Sequence, residues 1–228
     1  MKDSGWFLIV IAFLLGIRHG FDLDHLATID SITRTVSDNR YLSRIIGFLF
    51  SLGHGLVVIL ISLIIGSGLK PSAVPEWLNW VGDIISISFL FLFGLSNLWN
   101  IVQHPSKKSL PTSFKSYLSG KLIHKNFNPV CIIFIGVLFA LSFDTVSQVV
   151  LFSLSASALA GCLFSVVLGV VFMLGMMMSD GLNGLFVSIL IQRADRVSFL
   201  FSRIAGLMIA SFSLIIGIIN CFKMFNYA

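Results

Sequence analysis

Long apolar segments separated by short polar ones make up most of the chain, and this pattern predicts six main helices. Their approximate ranges are 5–34, 44–68, 78–103, 128–156, 159–192 and 199–222. Several are longer than the roughly twenty residues that cross a bilayer, so we expect tilts, cytoplasmic extensions or breaks near glycine. Residues 104–127 form the long loop between the third and fourth helices. The expected fold class is all-α, in a polytopic membrane protein.

The composition agrees with a membrane protein. Of 228 residues, 57% are hydrophobic and 11% are charged, and the mean hydropathy is +0.98. These values lie outside the range of soluble globular proteins, and we expect a single transmembrane domain over residues 1–228. The net charge of +5 falls in the predicted loops, so no nucleic-acid partner is expected. Cys131, Cys162 and Cys221 lack Cys-x-x-Cys spacing, which argues against a disulfide scaffold or a thiol-redox centre.

The basic residues are distributed unevenly between the predicted loops. Eleven of the fifteen Lys and Arg residues lie in or beside the first, third and fifth loops. They are Arg34, Arg40, Arg44, Lys107, Lys108, Lys115, Lys121, Lys125, Arg193, Arg196 and Arg203. Lys2, Lys70 and Lys223 lie on the other side. Because cytoplasmic loops are enriched in Lys and Arg, the pattern predicts a multi-pass protein of the cytoplasmic membrane with six crossings and both termini outside.

An internal repeat relates the two halves of the chain, about 1–103 and 128–228. The matching positions are Phe21-Asp22 with Phe143-Asp144, and Leu52-Gly53 with Leu174-Gly175. Both Asp-to-Gly intervals are 31 residues. Segment 88–97 also matches segment 211–220 at Ser, Phe, Gly and Asn. Three-helix units in tandem must run in opposite senses across the membrane, so we predict an inverted 3+3 repeat of the kind found in many secondary transporters.

Residues 18–25 bring a dense set of polar groups into an apolar helix. The uncharged run 6–17 has twelve residues, which is too short to cross a bilayer. Completing the crossing takes polar side chains to membrane depth, where an Asp or Arg costs roughly 2.5–3.5 kcal/mol. These side chains are Arg18, His19, Asp22, Asp24 and His25. Imidazoles beside carboxylates suit a divalent transition metal, and a carboxylate can also orient an imidazole. The alternative is a buried ion-pair cluster that sets helix packing.

Three further polar residues lie deep in apolar segments. His54 stands between two glycines about midway along the second helix. Alone it would indicate a hydrogen-bonded core residue, but beside the first cluster it is a predicted ligand. Asp144 and Asp180 are acids deep in the fourth and fifth helices, and each is predicted to be either a ligand on the transport path or a counter-ion to Arg18. The neighbouring methionines of the fifth helix are interpreted as core-filling side chains.

These residues predict a carrier for a divalent cation, channel-like or alternating-access, in which imidazoles and carboxylates replace the water around the metal. Protonation of histidine would compete with the metal. The chain has no Gly-x4-Gly-Lys-Ser/Thr motif, so it is not expected to hydrolyse ATP, and neither an enzymatic activity nor a permanently bound cofactor is predicted. Two other classes stay open. One is a haem protein with His25 and His54 as axial ligands, and the other is an intramembrane metallo-hydrolase.

Four segments resemble the signatures of the nickel/cobalt transporter family (NiCoT), in the same order. They are RHGFDLDH, SLGHGLVV, SFDTVSQVV and GMMMSDGLNG. The resemblance implies secondary transport of Ni²⁺ or Co²⁺ as cargo. It also assigns signature positions to seven residues, namely His19, Asp22, Asp24, His25, His54, Asp144 and Asp180.

The chain departs from the pattern of that family in ways that bear on the cargo. The family usually has eight crossings, and its first helix has no counterpart among the six predicted here. Gln148 stands where the family tends to have Glu, and Gly181 and Asn183 stand where it usually has Thr and a second Asp. Gln148 and Asn183 are therefore expected to be accessory residues. Two missing carboxylates weaken the attraction for a cation, so another divalent metal is an alternative cargo.

Overall fold

The computed structural model of the chain describes residues 2–37, 39–68, 76–103, 128–141, 146–156, 161–192 and 196–227. Every regular element within those ranges is an α-helix. The helices are α1 (Lys2–Gly20), α2 (Leu23–Thr35), α3 (Arg40–Gly66), α4 (Glu76–Gln103), α5 (Pro129–Phe139), α6 (Val146–Ala156), α7 (Gly161–Gln192) and α8 (Arg196–Tyr227). The predicted all-α class is confirmed for the described part of the chain.

Four stretches are long and apolar enough to cross a membrane, judged by length and composition. They are Arg40–Gly66, Trp80–Trp99, Gly161–Gln192 and Arg203–Met224. The helices α1 and α2 form a bent pair that adds a fifth span when it is counted as one. The apolar helices α5 and α6 are each shorter than a span. Within the described residues the fold therefore has four or five candidate spans, and six crossings stay a prediction.

Two helices that the sequence predicts as continuous are interrupted. The first stops at Gly20 and resumes at Leu23. At the interruption, the amides of Phe21 and Asp22 donate to the carbonyls three residues earlier, at 3.1 Å and 2.9 Å. Such short-range bonds tighten and end an α-helix, and this break follows a glycine, as expected. The fourth predicted helix is divided into α5 and α6. Residues 142–145 between them, and the predicted loop 104–127, lie outside the described residues.

The chain divides into two compact units. Unit 1 comprises Met1–Asp22, Phe48–Ile85 and Ile132–Asp180, and unit 2 comprises Leu23–Gly47, Ser86–Cys131 and Gly181–Ala228. The core of unit 1 is a buried cluster of apolar side chains from α1, α3, α6 and α7. Its members are Ala12, Val58, Ile65, Leu151, Phe152, Leu168, Phe172 and Met176. In unit 2, α2 packs against α8. A single domain over the whole chain stays a prediction.

Many large apolar side chains are exposed on the outer faces of the helices. Trp6 of α1, Leu163 of α7 and Phe222 of α8 are 71%, 84% and 68% exposed, respectively. Contiguous apolar surface is unfavourable in water and favourable against lipid. A helix satisfies its own backbone hydrogen bonds, so these helices suit a bilayer in both their surface and their backbone.

Candidate metal centre

The C-terminal turn of α1 carries His19 into the interior of unit 1. His19 is 1% exposed, and its Nδ1 lies 2.9 Å from Oδ2 of Asp22, three residues further along the chain. An ionised carboxylate only accepts hydrogen bonds, so the Nδ1–H of His19 donates to it. A carboxylate in this position fixes the tautomer and the orientation of an imidazole, and it raises the basicity of the other ring nitrogen. His19 therefore presents Nε2 as its ligand atom.

His54, on α3, meets His19 at that nitrogen. The Nε2 atoms of His19 and His54 are 3.2 Å apart, and the ring centroids are 5.1 Å apart. His54 is 1% exposed. Two nitrogen ligands on one divalent ion, each about 2.0–2.1 Å from it, lie about 3 Å apart when the angle between them is about 90–110°. The two imidazoles are thus spaced as a pair that a single ion can join.

Gln148, in the first turn of α6, contacts the same nitrogen of His54. Its Nε2 lies 2.9 Å from Nε2 of His54, and the side chain is completely buried. Its Oε1 has no hydrogen-bond partner among the described residues. An amide can turn either its NH₂ group or its oxygen towards an imidazole. Gln148 can therefore serve either tautomer of His54, and it brings no charge to the site.

Arg18 joins α1 to the start of α6. Its guanidinium donates a hydrogen bond to Oγ of Ser147, a fully buried serine next to Gln148. The Arg18 side chain is otherwise exposed. The positive charge of Arg18 is thus held by a neutral hydroxyl, on the residue that precedes Gln148.

Asp180 lies against the end of α1. The carboxylate is 0% exposed, and Oγ of Ser51 donates to its Oδ2 at 2.6 Å. A Cβ atom built on Gly20, the residue after His19, would stand 3.0 Å from Oδ1 of Asp180 and would overlap Oγ of Ser179. The missing side chain at Gly20 is therefore what lets the Asp180 carboxylate approach the turn that carries His19.

The rest of the predicted cluster belongs to unit 2, whose first residue is Leu23. His25 is completely buried in the first turn of α2. Its backbone N–H donates to Oδ1 of Asp24 at 2.9 Å, so the Asp24 carboxylate satisfies an amide at the helix start. Asn183 of α7 is partly buried, and its Nδ2 finds no partner among the described residues.

Unit 2 also contains a buried ion pair that the sequence does not single out. The guanidinium of Arg34 makes two hydrogen bonds of 2.8 Å to the Asp30 carboxylate, one turn earlier on α2. Asn97 of α4 adds a third, from Nδ2 to Oδ2 of Asp30 at 3.0 Å. Asp30 is 0% exposed and Arg34 is 5% exposed. The sequence places Arg34 at the end of the first predicted helix and counts its charge with the first loop. The second part is wrong, because α2 continues to Thr35 and Arg34 is buried against Asp30.

The amino-acid sequence of the chain is similar to those of known transport proteins. The profile of the NicO family, described as "High-affinity nickel-transport protein", matches residues 5–226. The chain belongs to this family. Three relatives are also named as nickel or cobalt transport proteins. Nickel transporter NicT of Mycobacterium tuberculosis is 30% identical over 210 residues, which cover 78% of this chain and 55% of NicT.

High-affinity nickel-transport protein NixA of Helicobacter pylori is 30% identical over 203 residues, covering 78% of this chain and 61% of NixA. Cobalt transport protein NhlF of Rhodococcus rhodochrous is 28% identical over 209 residues, covering 78% of this chain and 58% of NhlF. The chain thus spans between 55% and 61% of the length of these relatives. No solved structure matches it.

Family membership confirms the resemblance to nickel/cobalt transporters. Together with the candidate spans, it identifies the chain as a multi-pass membrane protein. Of the predicted site residues, unit 1 contains Arg18, His19, Asp22, His54, Gln148 and Asp180. Unit 2 contains Asp24, His25 and Asn183. Asp144 lies outside the described residues, so its predicted role stays a prediction.

The sequence does not reveal several residues that position the side chains of the candidate metal centre. Ser51 contacts Asp180, Ser147 contacts Arg18, and the absence of a side chain at Gly20 admits Asp180. A signal for Ser51 was available, because it lies three residues before His54 and so on the same face of α3. Ser147 and Gly20 had no such signal, since their contacts depend on how α1, α6 and α7 pack.

Proposed function

We propose that the chain moves a divalent transition-metal cation, Ni²⁺ or Co²⁺, across the cytoplasmic membrane. The observation that carries the proposal is the buried pair of imidazoles, His19 and His54, with Nε2 atoms 3.2 Å apart. Burying polar groups in an apolar unit is costly. Two buried nitrogen ligands are explained if a cation passes between them. The names of the relatives support nickel or cobalt as the cargo.

The residues of unit 1 take distinct parts in this proposal. His19 and His54 offer the ligand nitrogens, and Asp22 holds His19 in the tautomer that leaves its Nε2 available. Asp180 supplies negative charge beside the end of α1. Gln148 contacts the His54 nitrogen without adding charge. By raw affinity Cu²⁺ would bind nitrogen ligands more tightly than Ni²⁺ or Co²⁺, so preference for the latter pair would rest on geometry.

The haem alternative has less support. The Nε2 atom of His54 lies 3.2 Å from Nε2 of His19 and 2.9 Å from Nε2 of Gln148, which leaves no room for a porphyrin ring at that nitrogen. The acids Asp22 and Asp180 of unit 1, half-buried and buried respectively, also suit an apolar haem pocket poorly. A bare ion needs only that the two imidazoles turn their lone pairs towards it, and the 3.2 Å between their Nε2 atoms matches the separation of two nitrogen ligands on one ion.

The test is uptake of trace radioactive Ni²⁺ and Co²⁺ into proteoliposomes. We expect wild-type protein to accumulate one or both metals, and His19→Ala to lose at least about nine-tenths of that accumulation, because it removes a ligand. His124→Ala, in the predicted loop 104–127, is the matched control and should transport normally. Failure of the wild type to move either metal, with a screen of other divalent ions also negative, would contradict the proposal.

Asp24, His25 and Asp144 are proposed to contribute to the same transport path, on the strength of their positions in the family signatures. Asn183 is proposed as an accessory residue. Variants His25→Ala and Asp144→Asn provide the check, since each should reduce uptake in the same assay while the protein still inserts and folds.

We also propose the six-crossing inverted repeat, with α5 and α6 together forming one broken crossing. Its support is a pair of matching helix contacts in unit 1. A Cβ on Gly16 of α1 would overlap the Phe172 carbonyl oxygen of α7, and a Cβ on Gly175 would overlap that of Phe13. A Cβ on Gly53 of α3 would overlap the Ile133 carbonyl oxygen of α5, and a Cβ on Gly136 would overlap that of Phe50.

The two contacts follow the same rule. In every helix involved, the glycine comes three residues after the carbonyl that its partner glycine touches. The first helix of each proposed repeat packs on the second helix of the other. Ring contacts repeat as well, because the ring of His19 lies 5.4 Å from that of Phe172, and the ring of Phe139 lies 5.4 Å from that of Phe50. With six crossings, the excess of basic residues supports both termini outside.

A further inference from the structure

The contact between Ser51 and Asp180 joins α3 to α7 inside unit 1. Oγ of Ser51 donates to Oδ2 of Asp180 at 2.6 Å, a short distance that is typical of a hydroxyl bound to a charged carboxylate. Both side chains are 0% exposed. A hydrogen bond to a charged group stabilises the folded protein more than one between neutral groups. This contact therefore favours one orientation of the Asp180 carboxylate.

The position of Ser51 on α3 ties that carboxylate to the imidazole pair. Residues three apart lie on the same face of a helix, and His54 comes three residues after Ser51. The Nε2 atom of His54 contacts the Nε2 atom of His19. On the far side, Oδ1 of Asp180 borders Gly20, the residue after His19. One face of α3 thus sets both the His54 ring and, through Ser51, the Asp180 carboxylate.

We infer that Ser51 is a positioning residue for the metal, one that acts by orienting Asp180 and does not touch the ion. The inference rests on the proposed transport of Ni²⁺ or Co²⁺. Without the hydroxyl, the carboxylate of Asp180 loses a partner that selects one rotamer, and its direction beside the end of α1 is less narrowly fixed.

The experiment is a double-mutant cycle on the binding of Ni²⁺ to the full chain in detergent. Ser51→Ala should weaken binding about tenfold, the expected effect of losing a hydrogen bond to a charged group. Asp180→Asn should weaken binding at least as much. In the Asp180→Asn background, Ser51→Ala should have no further effect, because the carboxylate through which Ser51 acts has gone.

Ser62→Ala is the matched control. Ser62 is also a serine of α3 in unit 1, it is 0% exposed, and its Oγ has no hydrogen-bond partner among the described residues. Its removal should leave Ni²⁺ affinity unchanged. A spectroscopic measurement covers the case in which Asp180→Asn does not fold. The visible absorption of bound Co²⁺ reports ligand geometry, and it should change in Ser51→Ala and stay as in wild type in Ser62→Ala.

The outcomes separate the inference from the function beneath it. If wild-type protein binds neither metal, the proposed function is wrong and the role of Ser51 falls with it. If wild type binds and Ser51→Ala matches Ser62→Ala in affinity and in Co²⁺ spectrum, only the inference is overturned. Equal tenfold losses from Ser51→Ala with and without Asp180 would also overturn it, because they would assign Ser51 a general packing role.

Discussion

At the scale of single residues, Gln148 offers the sharpest test of how charge sets metal affinity. Its amide lies 2.9 Å from the His54 nitrogen and is completely buried. Gln148→Glu would put a negative charge beside the imidazole pair, where attraction for a cation is weakly screened. We expect Ni²⁺ affinity to rise by at least about tenfold, measured by equilibrium dialysis. Gln192→Glu, which adds the same charge on α7 in unit 2, is the control. Unchanged affinity in Gln148→Glu would mean that this side chain lies off the path of the metal.

The residues of the centre could be predicted from the sequence more easily than their partners could. His19, Asp22 and His54 stand out because polar groups are costly in apolar helices. Ser147 and Gly20 do not stand out, since a serine or a glycine is ordinary in a membrane helix. Their contacts with Arg18 and Asp180 depend on how helices pack together. A single sequence contains no record of that packing.

At the scale of elements, α2 contains a buried ion pair between Asp30 and Arg34, and Asn97 of α4 binds the same carboxylate. Replacing one partner of a buried pair leaves an uncompensated charge and typically costs 3–5 kcal/mol. We therefore expect Asp30→Asn, which deprives Arg34 of its two-pronged carboxylate, to lower unfolding stability by about that amount. Replacing both residues together, as Asp30→Leu with Arg34→Met, should recover much of the loss. Chemical denaturation in detergent provides the measurement. An Asp30→Asn protein as stable as wild type would show that the pair contributes nothing net.

Helix boundaries illustrate which features of an element a sequence can specify. The apolar runs predicted at 44–68 and 159–192 correspond closely to α3 and α7. The run predicted at 5–34 does not form one helix, because its chain turns at Phe21 and Asp22. Hydropathy measures how favourably a segment enters lipid. It does not report a local change of backbone hydrogen bonding. The sequence therefore predicts a break near a glycine but does not specify that it comes after Gly20.

At the scale of the whole chain, the two halves of the proposed repeat have the same helix contacts but different side chains at the matching positions. By the spacing of the matching contacts, His19 of α1 corresponds to Phe139 of α5, and His54 of α3 corresponds to Met176 of α7. The second half thus has apolar side chains where the first has imidazoles. On this proposal, the paired architecture sets how the helices meet in unit 1, while the ligands of the first half alone supply nitrogen to the metal.

The matching contacts make a prediction about coupling between glycines. Gly16→Ala and Gly175→Ala each force α1 and α7 apart, because the new methyl group overlaps a backbone carbonyl that cannot rotate away. Each should destabilise the protein by about 2 kcal/mol or more. The two together should cost much less than their sum, since the first methyl already opens the contact that the second needs. Gly16→Ala combined with Gly53→Ala opens two different contacts, and their costs should add. Gly5→Ala on α1 is the control, as its methyl would meet only the ring of Phe164 at 3.9 Å. Thermal unfolding in detergent measures all of these variants, and additive losses from Gly16→Ala and Gly175→Ala would remove the main support for the paired architecture.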